Sequence, residues 1–266
     1  MHKFPASFEG LQALIMHLRG PEGCPWDKEQ TRASMRQDVL EETYEFLEAI
    51  DRGDQGQIMG ELGDVLLQMA FQIQIAKDQE EFDEKDVFKF LIDKIVRRHP
   101  HVFGDLVITS TQEVLDNWQD LKRQEQPKEE GKSILDGIPQ AMPALVQSQS
   151  IQQRAASVGF DWNDVGGVID KIAEEVSELA DTKNVEERER EFGDILFTMA
   201  NAARWMNVDA EASLRGAAGR FRRRFACMEE LGRDRGIELK ALDAQAKEML
   251  WQESKRLVDL NSNPEQ

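Results

Sequence analysis

The sequence contains few cysteines, few prolines and no long hydrophobic run. Among its 266 residues, 2 are cysteine, 8 are proline and 7% are aromatic. Cys24 and Cys227 are far apart and form no Cys-x-x-Cys pair, so we expect two free thiols, and nothing in the sequence supports a disulfide. No apolar run has the length of a transmembrane helix, and the N-terminal stretch MHKFPASFEG lacks the apolar region of a signal peptide. These absences predict a cytoplasmic protein that does not enter the membrane.

Basic residues are also in deficit. There are 33 Lys and Arg against 51 Asp and Glu, which gives a formal net charge of -18. A chain this acidic repels nucleic acid and anionic membranes, so we expect no direct binding to duplex nucleic acid. The same charge suits a protein that attracts divalent cations.

Strand signals are scarce as well. The stretch HVFGDLVITS at 101–110 is the only one with a β-leaning composition. Apolar residues elsewhere recur at the spacing of amphipathic helices. We therefore predict an all-α fold, with helices over 35–50, 57–78, 85–98, 168–180 and 187–205.

Two copies of one pattern follow each other along the chain. The landmarks, first copy before second, are GCPWD (23–27) and GFDWN (159–163), EETYE (41–45) and EEVSE (174–178), ELGD (61–64) and EFGD (191–194), and NWQDLK (117–122) and LWQESK (250–255). A polar stretch with Pro and Gly separates them. The sequence predicts two tandem homologous antiparallel helical bundles at 1–123 and 139–266, joined by a linker at 124–138.

Paired carboxylates are the strongest chemical signal. In each copy, two pairs of acids three residues apart share a face of successive helices, and tight turns at 51–56 and 181–184 would bring the pairs together. Four converging carboxylates need cations, and all-oxygen ligands select Mg²⁺ or Mn²⁺. The predicted ligands are Glu175, Glu178, Glu191 and Asp194 in the second copy and, in a second and weaker site, Glu42, Glu45, Glu61 and Asp64.

The alternative is that these acids coat solvated helix faces, as most acidic residues do. Duplication of both pairs within one chain favours the metal sites. A di-iron bundle would need Glu-x-x-His, and none of the 4 histidines follows a glutamate at that spacing. We expect Val176, Leu179, Ile195 and Leu196 to form the apolar stripe that packs the two helices.

Basic and aromatic residues of the second copy indicate a phosphate-containing substrate. Arg220 and Arg224, one helical turn apart, suit phosphate oxygens, and Lys255 offers another cation. Trp251 could stack on a base or pack in the core. We expect Phe221 and Phe225, on the same helix as the arginines, to be core residues.

A family resemblance agrees with this interpretation. EExxE followed by ExxD on successive helices is the signature of the all-α nucleoside triphosphate pyrophosphohydrolases. The tandem arrangement, together with GCPWDKEQT (23–31), RRHPHVFGD (97–105) and VGFDW (158–162), closely resembles the MazG family over nearly the whole chain. The resemblance implies Mg²⁺-dependent conversion of a nucleoside triphosphate to the monophosphate and pyrophosphate, broad acceptance of bases, and a homodimer.

Residue by residue, the resemblance makes Glu175, Glu178, Glu191 and Asp194 the metal ligands. It places the nucleotide on Lys171, Arg220, Arg224, Trp251 and Lys255. Asp38 occupies in the first copy the place that Lys171 has in the second, and an extra anion there should weaken triphosphate binding. We therefore expect catalysis in the second copy.

The expected catalytic carboxylates are Glu174, Glu175 and Glu178, with Glu174 or Glu178 orienting or deprotonating the attacking water. Two other functions stay open at this point. The chain could be a non-catalytic regulatory protein that binds a nucleotide or a partner, or a phosphohydrolase that removes single phosphates.

Overall fold

The computed structural model describes residues 4–111, 113–114, 117–118, 121 and 133–261. These residues contain helices and connecting segments but no strand, which confirms the all-α prediction. The helices are α1 (Phe8–Arg19), α2 (Pro25–Glu29), α3 (Arg36–Arg52), α4 (Gln55–Asp78), α5 (Glu84–Arg98), α6 (Pro100–Phe103), α7 (Ala144–Ala156), α8 (Val165–Asp181), α9 (Val185–Trp205), α10 (Ala210–Asp234) and α11 (Ala244–Asn261), with a 3-10 turn at Leu239–Ala241. The five helices predicted from periodicity are all present, with ends within one turn of the predicted ones. The β-leaning stretch at 101–110 contains the end of α6 and non-helical chain.

The chain divides into two compact units, residues 1–128 and 129–266. The junction falls among residues 122–132, which lie outside the described residues, as does most of the predicted linker at 124–138. Lys122, the lysine of the first tryptophan–lysine landmark, also lies outside them. No helix in the described part of the chain combines the length and the apolarity needed to cross a membrane.

The first unit is built around the α3–α4 hairpin. Gly53 ends α3 with φ of 71°, a left-handed conformation that glycine adopts without steric cost. The Asp54 side chain accepts hydrogen bonds from the first amides of α4 and so caps it. Helix α1 packs on α4, and Met35 at the start of α3 joins Ile15, Ala70, Phe71 and Ile75 in the core.

The second unit repeats this hairpin with α8 and α9. Helix α8 ends at Asp181, and the Asn184 side chain accepts a hydrogen bond from the amide of Glu187 at the start of α9. Because so few residues connect them, the two helices run antiparallel and pack along their length. Helix α7 packs on α9, and α10 and α11 form a second hairpin. These contacts hold the α8–α9 hairpin, which carries the predicted metal ligands.

Candidate metal centre

The α8–α9 hairpin brings three of the predicted ligands together. Glu175, Glu178 and Glu191 each offer a carboxylate oxygen, and these oxygens lie within 4.8 Å of one another. Glu175 and Glu191 are buried, with exposed fractions of 6% and 5%, whereas Glu178 is exposed. Two buried carboxylates and one that solvent reaches form an all-oxygen donor set, which fits a hard divalent cation.

Local sequence explains how these side chains meet. Glu175 and Glu178 are three residues apart and lie on one face of α8. Glu191 lies in the second turn of α9, just beyond the short connection, so the antiparallel packing places it opposite them. The pKa of Glu178 is raised, first by the desolvation of its carboxylate by neighbouring protein atoms and then by the negative charges of Glu191 and Glu175.

Lys171 lies beside the carboxylates, one turn before Glu175 on α8. Its Nζ is 2.8 Å from Oε1 of Glu174 and 2.9 Å from Oε1 of Glu175. The hydrogen bonds to Glu174 and Glu175 raise the pKa of Lys171, so the side chain carries its positive charge throughout the physiological range. The structure therefore joins a predicted nucleotide ligand to two predicted catalytic carboxylates.

The first unit contains a similar group on α3 and α4. Glu42, Glu45 and Glu61 have carboxylate oxygens within 4.8 Å of one another. Partial burial, followed by the charges of Asp64 and Glu45, raises the pKa of Glu42. Glu42 is half-buried here, whereas its counterpart Glu175 is fully buried.

Each group holds three carboxylates, not the predicted four. Among the described residues, Asp64 and Asp194 are not part of the close groups. Asp64 still acts on the first group, since its charge raises the pKa of Glu42 and of Glu61. Asp194 is half-buried on α9, one turn after Glu191.

The predicted nucleotide ligands other than Lys171 lie on α10 and α11. Arg224 Nη2 contacts Oδ1 and Oδ2 of Asp259 at 2.9 and 3.1 Å, and its Nε is buried without a hydrogen-bond partner among the described residues. Arg220 is exposed and Lys255 is half-buried. No hydrogen bond or ion pair between described residues joins this group to the glutamates of α8 and α9.

The aromatic side chains around Trp251 differ from the expectation. The rings of Phe221 and Trp251 have centroids 5.1 Å apart, and Phe221 stacks on Phe225 at 5.9 Å. Phe221 is 57% exposed and Phe225 41% exposed, so neither is the core residue that the sequence predicted. The apolar spacing on α10 specifies a shared face but not whether another helix covers it.

Sequence reasoning did not assign a role to the loop before α8. Asp161 accepts hydrogen bonds from Arg204 Nη2 at 2.5 Å and from Trp205 Nε1 at 3.2 Å. Trp162 lies against Gly167 in the first turn of α8. The sequence motif VGFDW lies in this loop. The hydrogen bond from Arg204 to Asp161 joins residues more than forty positions apart, so the sequence near the motif could not predict it.

Comparison with known proteins identifies the family. The sequence profile of the MazG nucleotide pyrophosphohydrolase domain matches residues 30–103. The chain is 43% identical over 255 residues to a nucleoside triphosphate pyrophosphohydrolase of Escherichia coli K12. The aligned region covers 92% of this chain and 96% of that protein. It is also 43% identical over 248 residues to the nucleoside triphosphate pyrophosphohydrolase/pyrophosphatase MazG of Thermotoga maritima. Here the aligned region covers 93% of this chain and 95% of that protein. An uncharacterised protein of Bacillus subtilis, YabN, is 42% identical over 255 residues, covering 93% of this chain and 51% of that protein.

The E. coli and T. maritima relatives match more than nine tenths of the chain and nearly all of their own length. The chain belongs to the MazG family of nucleoside triphosphate pyrophosphohydrolases.

Proposed function

We propose that this chain hydrolyses nucleoside triphosphates to nucleoside monophosphates and pyrophosphate, with Mg²⁺ as the cofactor and Mn²⁺ as a possible substitute. The observation that carries this proposal is the group formed by Glu175, Glu178 and Glu191, whose carboxylate oxygens lie within 4.8 Å of one another. The names of the E. coli and T. maritima relatives support the reaction type. Broad acceptance of bases is part of the proposal.

The three glutamates, together with Asp194, would hold the cation. A divalent cation bound there supplies charge neutralisation for the triphosphate oxygens and lowers the pKa of a water molecule. Glu178 is exposed, so solvent reaches its carboxylate, and it can orient or deprotonate the attacking water. Glu174 is the other candidate for this role, and its carboxylate accepts a hydrogen bond from Lys171.

Cationic side chains would bind the triphosphate. Lys171 lies within 2.9 Å of Glu175 Oε1 and so presents a positive charge next to the proposed cation ligands. Arg220, Arg224 and Lys255 supply further positive charge on α10 and α11, and Trp251 offers an aromatic face. Pyrophosphate that remains bound to such cations is a good leaving group.

We assign catalysis to the second unit. Lys171 pairs with Glu175 there, whereas Asp38 occupies the matching position on α3 and adds a negative charge instead. The second group is also the better shielded from water, since Glu175 is buried and Glu42 is only half-buried. An anion near the phosphates weakens their binding, and a shielded site strengthens every charge interaction within it. The first unit would then have a weaker or regulatory role.

We further propose that the chain functions as a homodimer in the cytoplasm. Next to the carboxylates, Val176 is 51% exposed and Leu196 is 43% exposed, although the sequence predicted both in the packing stripe of the hairpin. Phe192 and Met199, also on α9, are about half exposed at 54% and 50%. Phe192, Leu196 and Met199 share one face of α9 by their spacing. Exposed apolar side chains of this kind favour a protein partner, and a second copy would cover them.

The test measures product formation by the full chain with a panel of ribo- and deoxynucleoside triphosphates. We expect pyrophosphate as the primary product in Mg²⁺, partial activity in Mn²⁺, and none in EDTA. Release of orthophosphate as the primary product would instead indicate removal of single phosphates. Nucleotide binding without any product would indicate a regulatory protein and overturn the proposal. Hydrolysis in ¹⁸O-water identifies the attacked phosphorus, because the label enters only one of the two products.

A further inference from the structure

A tryptophan outside the predicted site lies against the helix that carries Lys171 and Glu175. A Cβ placed on Gly167 would come within 2.9 Å of Cε3 of Trp162, so the indole rests directly on the backbone of the first turn of α8. A side chain at position 167 would displace the ring. Trp162 is nevertheless 43% exposed, so part of its aromatic surface is available to a ligand.

The indole lies on the same face of α8 as the proposed catalytic residues. Gly167, Lys171 and Glu175 follow one another at intervals of four residues and therefore share this face. At a rise of 1.5 Å per residue, Gly167 and Glu175 are roughly 12 Å apart along the helix axis. The ribose and phosphates of a nucleotide can bridge this separation, with the phosphates next to Lys171 and the base next to the indole.

The loop that carries Trp162 is fixed to the same hairpin. The Asp161 carboxylate accepts hydrogen bonds from Arg204, from Trp205 and from the backbone amide of Trp162. The side chain of Arg204 is only 14% exposed, and its Nε donates a second hydrogen bond to Oδ1 of Asn201 at 2.9 Å. Since Arg204 and Trp205 end α9, the indole is positioned by both helices that supply the carboxylates.

We infer that Trp162 is a platform on which the base of the nucleoside triphosphate stacks, in addition to the aromatic face of Trp251, and that Asp161 and Arg204 are positioning residues for it. This inference rests on the proposed function of the second unit. Stacking on an indole needs only the π-face that every base has, so the platform contributes affinity without selecting among bases. A triphosphate without a base would lose this contribution to binding.

The described residues of the first unit do not repeat this arrangement, and they supply a matched control. Trp26 is its corresponding tryptophan, but Pro25 precedes it where Asp161 precedes Trp162. Pro25 and Trp26 begin the short helix α2, and a proline has no side-chain acceptor that could anchor the ring. Trp26 is 59% exposed. Substitution of Trp26 therefore removes an exposed tryptophan without touching the proposed platform.

The experiment compares Trp162→Ala, Trp162→Phe, Trp162→Leu and Trp26→Ala in the full chain. Pyrophosphate release is measured with ATP and with ribose 5-triphosphate, which has no base. For Trp162→Ala and Trp162→Leu we expect KM for ATP to rise about tenfold or more, the effect of losing one stacked base. The kcat for ATP and the kcat/KM for ribose 5-triphosphate should change less than twofold. Trp162→Phe, which keeps a π-face, should restore most of the affinity, and Trp26→Ala should behave as the parent chain.

Two results would overturn the platform. One is an equal loss of kcat/KM with both substrates, which would indicate that Trp162 only supports the fold of α8. The other is an unchanged KM for ATP in Trp162→Ala. Calorimetric binding of ATP, measured in parallel, separates this inference from the proposed reaction. If the parent chain releases no pyrophosphate but Trp162→Ala still weakens ATP binding, the reaction is wrong and the platform stands.

Discussion

Glu175→Gln is the substitution with the most specific expected outcome. Glu175 is buried, belongs to the group of three carboxylates, and accepts a hydrogen bond from Lys171, whose Nζ is 2.9 Å away. Glutamine has nearly the same shape and can still accept that hydrogen bond through its amide oxygen. The variant therefore removes one negative charge while it preserves the packing of α8 on α9.

The size of the effect follows from the charge. At an effective dielectric constant of about 20, one carboxylate 4 Å from a divalent cation contributes roughly 8 kcal/mol of attraction. Water and the remaining glutamates compensate for much of this, so we expect kcat/KM for ATP to fall about 100- to 1,000-fold, or roughly 3–4 kcal/mol. Pyrophosphate release in saturating Mg²⁺ is the assay, and circular dichroism shows whether the variant is folded.

The matched control is Glu42→Gln in the first unit. Glu42 occupies the equivalent position in the other group of carboxylates, but its unit has Asp38 where the second has Lys171. We expect the control to retain activity within about twofold of the parent chain. Equal losses in the two variants would refute the assignment of catalysis to the second unit. Full activity in folded Glu175→Gln would refute the metal site itself.

Three further expectations concern charge and association. In EDTA, Glu178→Gln should stabilise the protein against urea at pH 7 but not at pH 4, because desolvation and neighbouring charges raise the pKa of Glu178. The protonated Glu178 contributes to stability below the unfolded-state pKa of 4.5, and this contribution is lost as the pH rises through the raised pKa of the folded state. Equal stability of the variant and the parent chain at pH 7 would contradict this. Lys171→Ala should raise KM for ATP about tenfold or more in the pyrophosphate assay, because a charge-assisted contact to phosphate is lost; an unchanged KM would exclude Lys171 from the nucleotide site. Val176→Glu should convert the proposed dimer to monomer in light scattering at micromolar concentration, since it places a charge in the exposed apolar surface of α8, and an unchanged mass would exclude this face from the interface.

Local sequence was enough to predict the helices and their turns. Gly53 adopts the left-handed conformation that ends α3, and the side chains of Asp54 and Asn184 cap the helices that follow. The pairing of Glu175 with Glu178 on one face also follows from their spacing alone, since residues three apart on a helix are neighbours. Each of these features depends on interactions within one or two helical turns.

The placement of the third carboxylate, Glu191, depends on more than its spacing along the helix. A short connection predicts that α8 and α9 are antiparallel, which is why Glu191 was expected near Glu175. Whether the next acid on α9 also reaches the group depends on the rotation of one helix against the other. Asp194 is not part of the close group among the described residues, and the helical period by itself does not specify that rotation.

The sequence by itself determined an all-α chain, a duplicated pattern and the pairing of Glu175 with Glu178 on one helix face, because helix propensity, capping and the 3.6-residue period are local properties. Only the tertiary structure decided that Lys171 pairs with Glu175, that Phe221 remains exposed, and that Trp162 rests on Gly167 while Arg204 anchors its loop. These contacts join residues through side-chain rotamers and helix packing. Both depend on the surroundings of a residue in space, which its neighbours in the sequence do not specify.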